Sequence, residues 1–534
     1  MPSVCRITIF ATIVGGAYLI PATQIPYVDQ IGLNLLQATT TNLNGIGVNV
    51  GHPEASAPVF EVNPVSVGQP TNRFTWIAET VPPEPSTIIG YLSAPITAST
   101  FTNSLGTDSP HADYVANAFY GTNGVATNVA HINNYDATTF YYHYVYYNNS
   151  IAERIVNQSF TFGTNDNSIN QYYDNYAAQH NVLFVSGAGA TFNGVWSPAT
   201  CYNGIGVGVF NNGNSPYGPT SDGRSKPDIT AFGYQDQETS YSTPQVSGAA
   251  TLLVQAGMRG DGGANTNAAI DIRTLKALLL NGAVKPADWT NSPSTPLHYR
   301  HGAGVLNVFN SYKQLAGGKQ VCVESTSVAL GGTHPPGASA GVIGALSGWD
   351  FNTNSSGVTT DEINHYYFNA TNNSSAAMLT TTLVWNRQNG KSAINHLALY
   401  LYNYSNSNLV ACSTSLVDNV EHIFVPQLAA GRYDLQVWKT GGTPDVSIVS
   451  AAEPYALAWA FTWPMLSLTN SGTGLTATWP VYPAGFVVEA TSSLSAPSWN
   501  TNTLPAFVFT NSRNNLKVNA TNAAQFLRLR SPNF

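Results

Sequence analysis

Charge is what this chain has least of. Only 9% of its 534 residues are Asp, Glu, Lys or Arg, against about 25% in an average protein. The 28 acidic and 20 basic residues leave a formal net charge of −8, and the basic ones form no cluster. That excludes the electrostatic footprint of a nucleic-acid binder. Cysteine is nearly as scarce: Cys5, Cys201, Cys322 and Cys412 are the whole set. No C-x-x-C or H-E-x-x-H occurs, and His298 and His301 in "LHYRHG" have no further ligands beside them. No metal and no other cofactor is therefore expected. Long apolar runs are missing as well. No segment after the N-terminus holds 18 consecutive apolar residues, so no stable membrane span is expected.

What is present is ample material for burial. Hydrophobic residues make up 43% of the chain, which rules out a disordered composition. Tyr, Thr, Asn and Ser supply the polar surface in place of charge, a mixture that suits a strand-rich extracellular protein. The N-terminus reads "MPSVCRITIFATIVGGAYLIPATQIP". Arg6 precedes an apolar run from Ile7 to Ile20, and Pro21 ends it. This order of charge then apolar run reads as a secretory signal over residues 1–25, and predicts a secreted protein. Loss of Cys5 with that signal leaves three cysteines, enough for one internal disulfide at most, with Cys322–Cys412 the conceivable pair.

The length predicts two to four domains. Over residues 30–318, short apolar runs alternate with helix-like ones. "RIVNQSFTFG", "NVLFVSGAG" and "NGIGVGVF" read as buried strands, and "SINQYYDNYAAQH" and "DIRTLKALLLNGAV" as helices. Such alternation predicts an α/β unit with a parallel sheet. From 336 to 462 the grammar changes to aromatic and β-branched strands such as "MLTTTLVW", "HLALYLYNY" and "YALAWAFTW", separated by Asn, Gly and Ser. That is the pattern of a β-sandwich. Residues 464–534 read as a further small β unit. The fold class is thus a parallel-sheet α/β domain followed by two all-β modules.

One stretch stands out in the first unit: "QETSYSTPQVSGAATLLVQAG", Gln237 to Gly257. Pro244 suits the first turn of a helix, where its missing N–H is not needed. Ser240 is expected just ahead of that helix, near its positive end. A hydroxyl so placed is either a cap or a nucleophile. A nucleophile needs a base and an orienting acid. His111 opens the small-residue helical stretch "SPHADYVANAF", and Glu54 ends the run "GVNVGHPE". Asp113 is a rival acid, but two residues along a helix from His111 it points away.

In this order, these segments resemble the subtilisin-like serine proteases, the subtilases. The family's serine motif G-T-S-x-[AS]-x-P is similar to Glu238-Thr239-Ser240-Tyr241-Ser242-Thr243-Pro244, followed by Val246-Ser247-Gly248. The histidine motif H-G-T-x-V-A resembles His111-Ala112-Asp113-Tyr114-Val115-Ala116, and the lysine–proline–aspartate element resembles "GRSKPDITAFG". The resemblance implies a subtilisin-like catalytic domain with Ser240, His111 and Glu54 as catalytic residues. It also implies substrate-lining segments at Ser159 and Phe160 and at Gly187, Ala188 and Gly189. Three departures accompany it. The family's aspartate is replaced by Glu54, its glycine before the Thr-Ser pair by Glu238, and its oxyanion asparagine by Ala190. Asn193, three residues on, is the candidate substitute donor. Asp228 after Pro227 reads as structural. The region 340–462 resembles the pre-peptidase C-terminal type of β-sandwich found beside secreted proteases, and the tail resembles small β modules on secreted proteins of environmental bacteria.

The expectation is a secreted serine endopeptidase acting on protein or peptide substrates, with the two β modules free to contact a cell surface or matrix. The stretch from the signal to Glu54 is too short for a folded inhibitory propeptide. The alternative is a subtilase-fold binding or scaffold protein weakened or silenced by the changes at Glu238 and Ala190. A carboxylate-based serine peptidase is a third option, disfavoured because no acid stands at the Ala190 position.

Overall fold

The computed structural model describes residues 28–55, 57–79, 88–91, 106–189, 194–210, 215–233, 239–337, 339–371, 376–445, 447–470, 475–484 and most of 486–530. The signal-like segment lies outside them. Eight strands form the central sheet of the first unit. Their spatial order is Ile229–Ala231, Ile205–Val209, Leu183–Gly187, Ile155–Gln158, Asn49–Glu54, His131–Asp136, Phe74–Glu79 and Ile88–Tyr91. The first seven are parallel, and the last pairs antiparallel at the edge. The strands at 155–158, 183–187 and 205–209 are buried along their whole length, as a sheet covered on both faces requires.

Helices Pro110–Phe119, Asn167–His180, Thr239–Arg259 and Ile272–Gly282 accompany this sheet. The Thr239–Arg259 helix is buried from Ser242 to Gly257, so it runs through the core and its small residues let the neighbouring elements approach. Chain order reverses around the strand Asn49–Glu54: strands that follow it lie on both of its sides. Sites in open α/β sheets form at the carboxyl ends of strands beside such a switch point, and Glu54 ends this strand.

The second unit is a sandwich of a five-stranded and a four-stranded antiparallel sheet, spanning Glu324–Ala329 to Ala452–Thr462. Tyr366, Phe368, Leu399, Leu401 and Leu435 of one sheet meet Leu379, Leu383, Leu457, Trp459 and Phe461 of the other in one core. The sandwich also packs against the first unit. Trp349, Val384 and Ala456 join the core of the α/β unit. Arg387 Nη2 lies 2.7 Å from the buried carboxylate of Asp174, and the Ser225 N–H donates to Asp418 at 2.8 Å. The tail holds a four-stranded and a two-stranded sheet around Ala477, Trp479, Val488, Leu516 and Val518. Among the described residues there is no helix beyond Ala316, and no helix is long and apolar enough to cross a membrane.

Candidate active site

The acid, the imidazole and the hydroxyl arrive on three different elements. Glu54 closes its strand with its side chain 2% exposed. His111 is the second residue of the Pro110–Phe119 helix, whose start is set by Pro110 and by the Ser109 hydroxyl accepting the Ala112 N–H at 3.2 Å. Glu54 Oε2 lies 2.9 Å from His111 Nδ1, and Glu54 Oε1 accepts the Ala55 N–H at 2.8 Å. Burial by itself would raise the Glu54 carboxyl. The charge and hydrogen bond of His111, joined by His52, more than offset this and hold it at about 2. Glu54 is therefore an anion, and a carboxylate on Nδ1 favours the tautomer that carries its proton there and a lone pair on Nε2. His111 is the better exposed partner, at 13%, so one side of the pair is open and the other closed.

The structure corrects the expected place of Ser240. The helix runs Thr239–Arg259, so Ser240 lies within its first turn and Pro244 inside it. A proline at this position has no N–H to give the carbonyl four residues back, which is that of Ser240. The freed carbonyl accepts the Ser159 hydroxyl at 3.1 Å, and Ser240 Oγ donates to the Ser159 carbonyl at 3.3 Å. Thr239 makes a second tether: its hydroxyl donates to the Gly189 carbonyl at 2.8 Å and lies 3.2 Å from the Gly189 N–H. Gly187 makes room for this, since a Cβ there would sit 3.0 Å from Thr239 Oγ1. The Ser240 backbone is thereby fastened to both segments expected to line the substrate.

Those segments differ in what they present. Phe160 is buried and packs on Phe162, and the Ala188 side chain is buried with Val195 and Ala199. Gly189 adopts a positive φ of 132°, a conformation open to glycine. Tyr241 carries the surface from Ser240 toward His111: its ring is 6.4 Å from the imidazole and 4.0 Å from Tyr114. Asn193, Ala190 and Glu238 lie outside the described residues.

Asp113 sits away from the imidazole, with Oδ1 accepting the Asn63 N–H at 2.7 Å. Asp228 is buried between Lys226 and Lys276 and accepts the Gly206 N–H. The described cysteines are free thiols, so the Cys322–Cys412 disulfide does not form. His298 and His301 stack at 4.9 Å, and His301 Nε2 is 3.2 Å from Asp288. Among the described residues no three His, Cys, Asp or Glu side chains are grouped to hold a metal ion.

One neighbour escaped the sequence reading. His52 is fully buried, with Nε2 3.8 Å from Glu54 Oε2 and Nδ1 2.8 Å from the Tyr120 hydroxyl. The alternation of a strand offered a signal for it, because residues two apart share a face.

Residues 117–305 match the Subtilase family. The chain thus carries a subtilisin-like α/β domain. The match includes Ser240 and begins after Glu54 and His111. No curated protein sequence matches the chain. Among solved structures, it is similar to the PatG macrocyclase in complex with peptide, at 18% identity and TM-score 0.39 over 54% of this chain and 97% of that one. The MycP3 protease from the type VII (ESX-3) secretion system gives 15% identity and TM-score 0.38 over 57% and 92%. The subtilisin-like protease Apa1 from the Antarctic psychrotroph Pseudoalteromonas sp. AS-11 gives 11% and 0.33 over 53% and 97%.

Proposed function

We propose that this subtilase-type chain is a secreted serine endopeptidase with Ser240 as nucleophile, His111 as general base and Glu54 as the orienting acid. The observation that carries the reading is the 2.9 Å contact between His111 Nδ1 and an ionised, buried Glu54, beside a helix start that holds Ser240. To attack a peptide carbonyl, the Ser240 hydroxyl leaves the Ser159 carbonyl and gives its proton to His111 Nε2. The imidazolium so formed is stabilised by Glu54 and returns the proton to the leaving amine. Ser240 lies in the first turn of its helix, where backbone N–H groups have no partner within the helix. Its own N–H is therefore a candidate donor to the oxyanion, with Asn193 as the second. Water then releases the acyl group by the same proton path in reverse. The Arg6-led apolar run supports export.

Labelling with a fluorophosphonate probe, which reacts with activated serine hydroxyls, tests the reading. Wild-type protein should label, Ser240→Ala should not, and the rate should fall as the imidazole protonates, below about pH 6–7 for an ordinary histidine. Folded wild-type protein that takes no label would favour the binding or scaffold reading instead.

A further inference from the structure

Glu54 is one methylene longer than an aspartate, so it has an additional torsion to restrain if it is to hold an imidazole in one orientation. The Ala55 N–H restrains one oxygen and His111 the other. His52 faces that second oxygen from the same side of the strand. At 3.8 Å the contact is too long for a hydrogen bond. It is short enough for an N–H dipole to act strongly where water is excluded.

Which ring nitrogen carries the proton decides whether that dipole attracts or repels. The Tyr120 phenol lies 2.8 Å from Nδ1. Burial, reinforced by the nearby Asp113 and Glu54, drives this phenol well above its usual range, so it stays an O–H donor. Donation to Nδ1 leaves the proton on Nε2, pointing at Glu54. The other tautomer would set a lone pair against a carboxylate. Both partners are pinned: Phe74 and Phe119 pack on the Tyr120 ring, Gln69 donates to the Tyr120 carbonyl at 2.7 Å, and Asn134 donates to the His52 carbonyl at 2.9 Å.

We infer that His52, set in one tautomer by Tyr120, is a positioning residue that holds the Glu54 carboxylate on His111. The inference rests on the Ser240–His111–Glu54 reading. Among the described residues, the titratable groups near this chain include Asp108 and Asp113 beyond Tyr120, Asp136 opposite Glu54 on the adjacent strand, and Tyr241 beside His111. Burial and the proximity of Asp108 push Asp113 up to about 8, so it is mostly protonated at neutral pH and does not compete with Glu54 for His52.

The test uses the full chain and two readouts. One is the pH profile of fluorophosphonate labelling. The other is the downfield imidazole proton of the His111 Nδ1–Glu54 contact, observed by NMR and identified by its loss in His111→Asn. His52→Leu removes the donor, whereas His52→Gln returns an amide N–H near the Nε2 position. We expect His52→Leu to weaken or abolish the downfield proton and to lower the plateau labelling rate by about tenfold or more. The acid limb should also move to lower pH, because His111 loses a well-placed anion. His52→Gln should recover most of each. A folded His52→Leu protein with the wild-type proton signal and profile overturns the inference. If His52→Leu does not fold, Tyr120→Phe should shift both readouts in the same direction by less, and wild-type behaviour there overturns it. If wild-type protein takes no label, the peptidase reading fails, and the proton signal in the variants still decides the role of His52.

Discussion

Each of the two larger units holds an imidazole–carboxylate pair with a hydroxyl-bearing element close by. In the α/β unit Glu54 holds His111 beside the helix that presents Ser240. In the sandwich, Thr326 Oγ1 lies 2.7 Å from His365 Nε2, and His365 Nδ1 lies 2.9 Å from Asp434 Oδ2. The imidazole–carboxylate distance is 2.9 Å in both. What surrounds the hydroxyls differs. Ser240 sits in the first turn of a helix, where the dipole favours negative charge. Thr326 sits on a strand at the edge of a five-stranded sheet, where backbone dipoles alternate and a β-branched side chain turns stiffly. His365 is further locked by stacking on Tyr367, and Asp434 is also bonded by Gln436. The sandwich set is a polar network, buried at His365 and Asp434 and half-buried at Thr326, that fixes strand packing. A triad-like row of hydrogen bonds does not by itself make a nucleophile.

Removal of each hydroxyl should separate the two units most strongly. Ser240→Ala should abolish fluorophosphonate labelling, and Thr326→Val should leave its stoichiometry unchanged; mass mapping of a label to Thr326 would overturn the distinction. Next come the two acids. Glu54→Gln should slow labelling by roughly 10³–10⁴-fold, because an amide no longer selects the required imidazole tautomer. Asp434→Asn should keep the labelling rate but lower stability by about 1–3 kcal/mol, read from denaturant unfolding.

The pH dependence of stability sharpens the contrast between the units. Glu54, held at about 2, supplies stability that is complete above the ordinary carboxyl value of 4.5 and is lost as pH falls toward 2. Glu453 in the sandwich has the opposite sign. Burial pushes it up to about 7 despite hydrogen bonds from Asn395 and Gln388. Its folded state keeps a proton that the unfolded chain releases, so stability should fall as pH rises from 4.5 to 7. Glu453→Gln should flatten that slope, on the order of 1–3 kcal/mol across the window, in urea titrations at successive pH values. The smallest effect is expected at Ser159. Ser159→Ala leaves the Ser240 carbonyl without its donor and should cost about 1 kcal/mol. Pro244→Ala, which restores a helix N–H to that carbonyl, should recover part of the loss in the double variant.

Much of the framework was legible in the chain. The runs read as strands near 155, 183 and 205 are strands at 155–158, 183–187 and 205–209, because continuous short apolar runs suit a sheet covered on both faces. The helix expected from "SINQYYDNYAAQH" is Asn167–His180, entered through an Asp166 cap. The aromatic alternation after residue 340 forms the sandwich strands. Less legible was the Ser240 helix: a proline signals the first turn of a helix by local chemistry, but Ser159, remote in sequence, accommodates it one turn deeper. His52 and the Thr326–His365–Asp434 row were not read at all, since a lone His or Thr in a strand gives no sign of what faces it.

Periodicity, small residues and caps act over a few neighbours, so they pointed to several strands and helices, to an α/β unit followed by all-β units, and to Ser240, His111 and Glu54 as candidates. Which polar groups meet follows from how those elements pack. Burial of Glu54 between two imidazoles, the tether of Ser240 to Ser159 and the docking of Arg387 on Asp174 each join residues distant along the chain. Their energies depend on distance and on exclusion of water, quantities that exist only once the sheets and helices have packed.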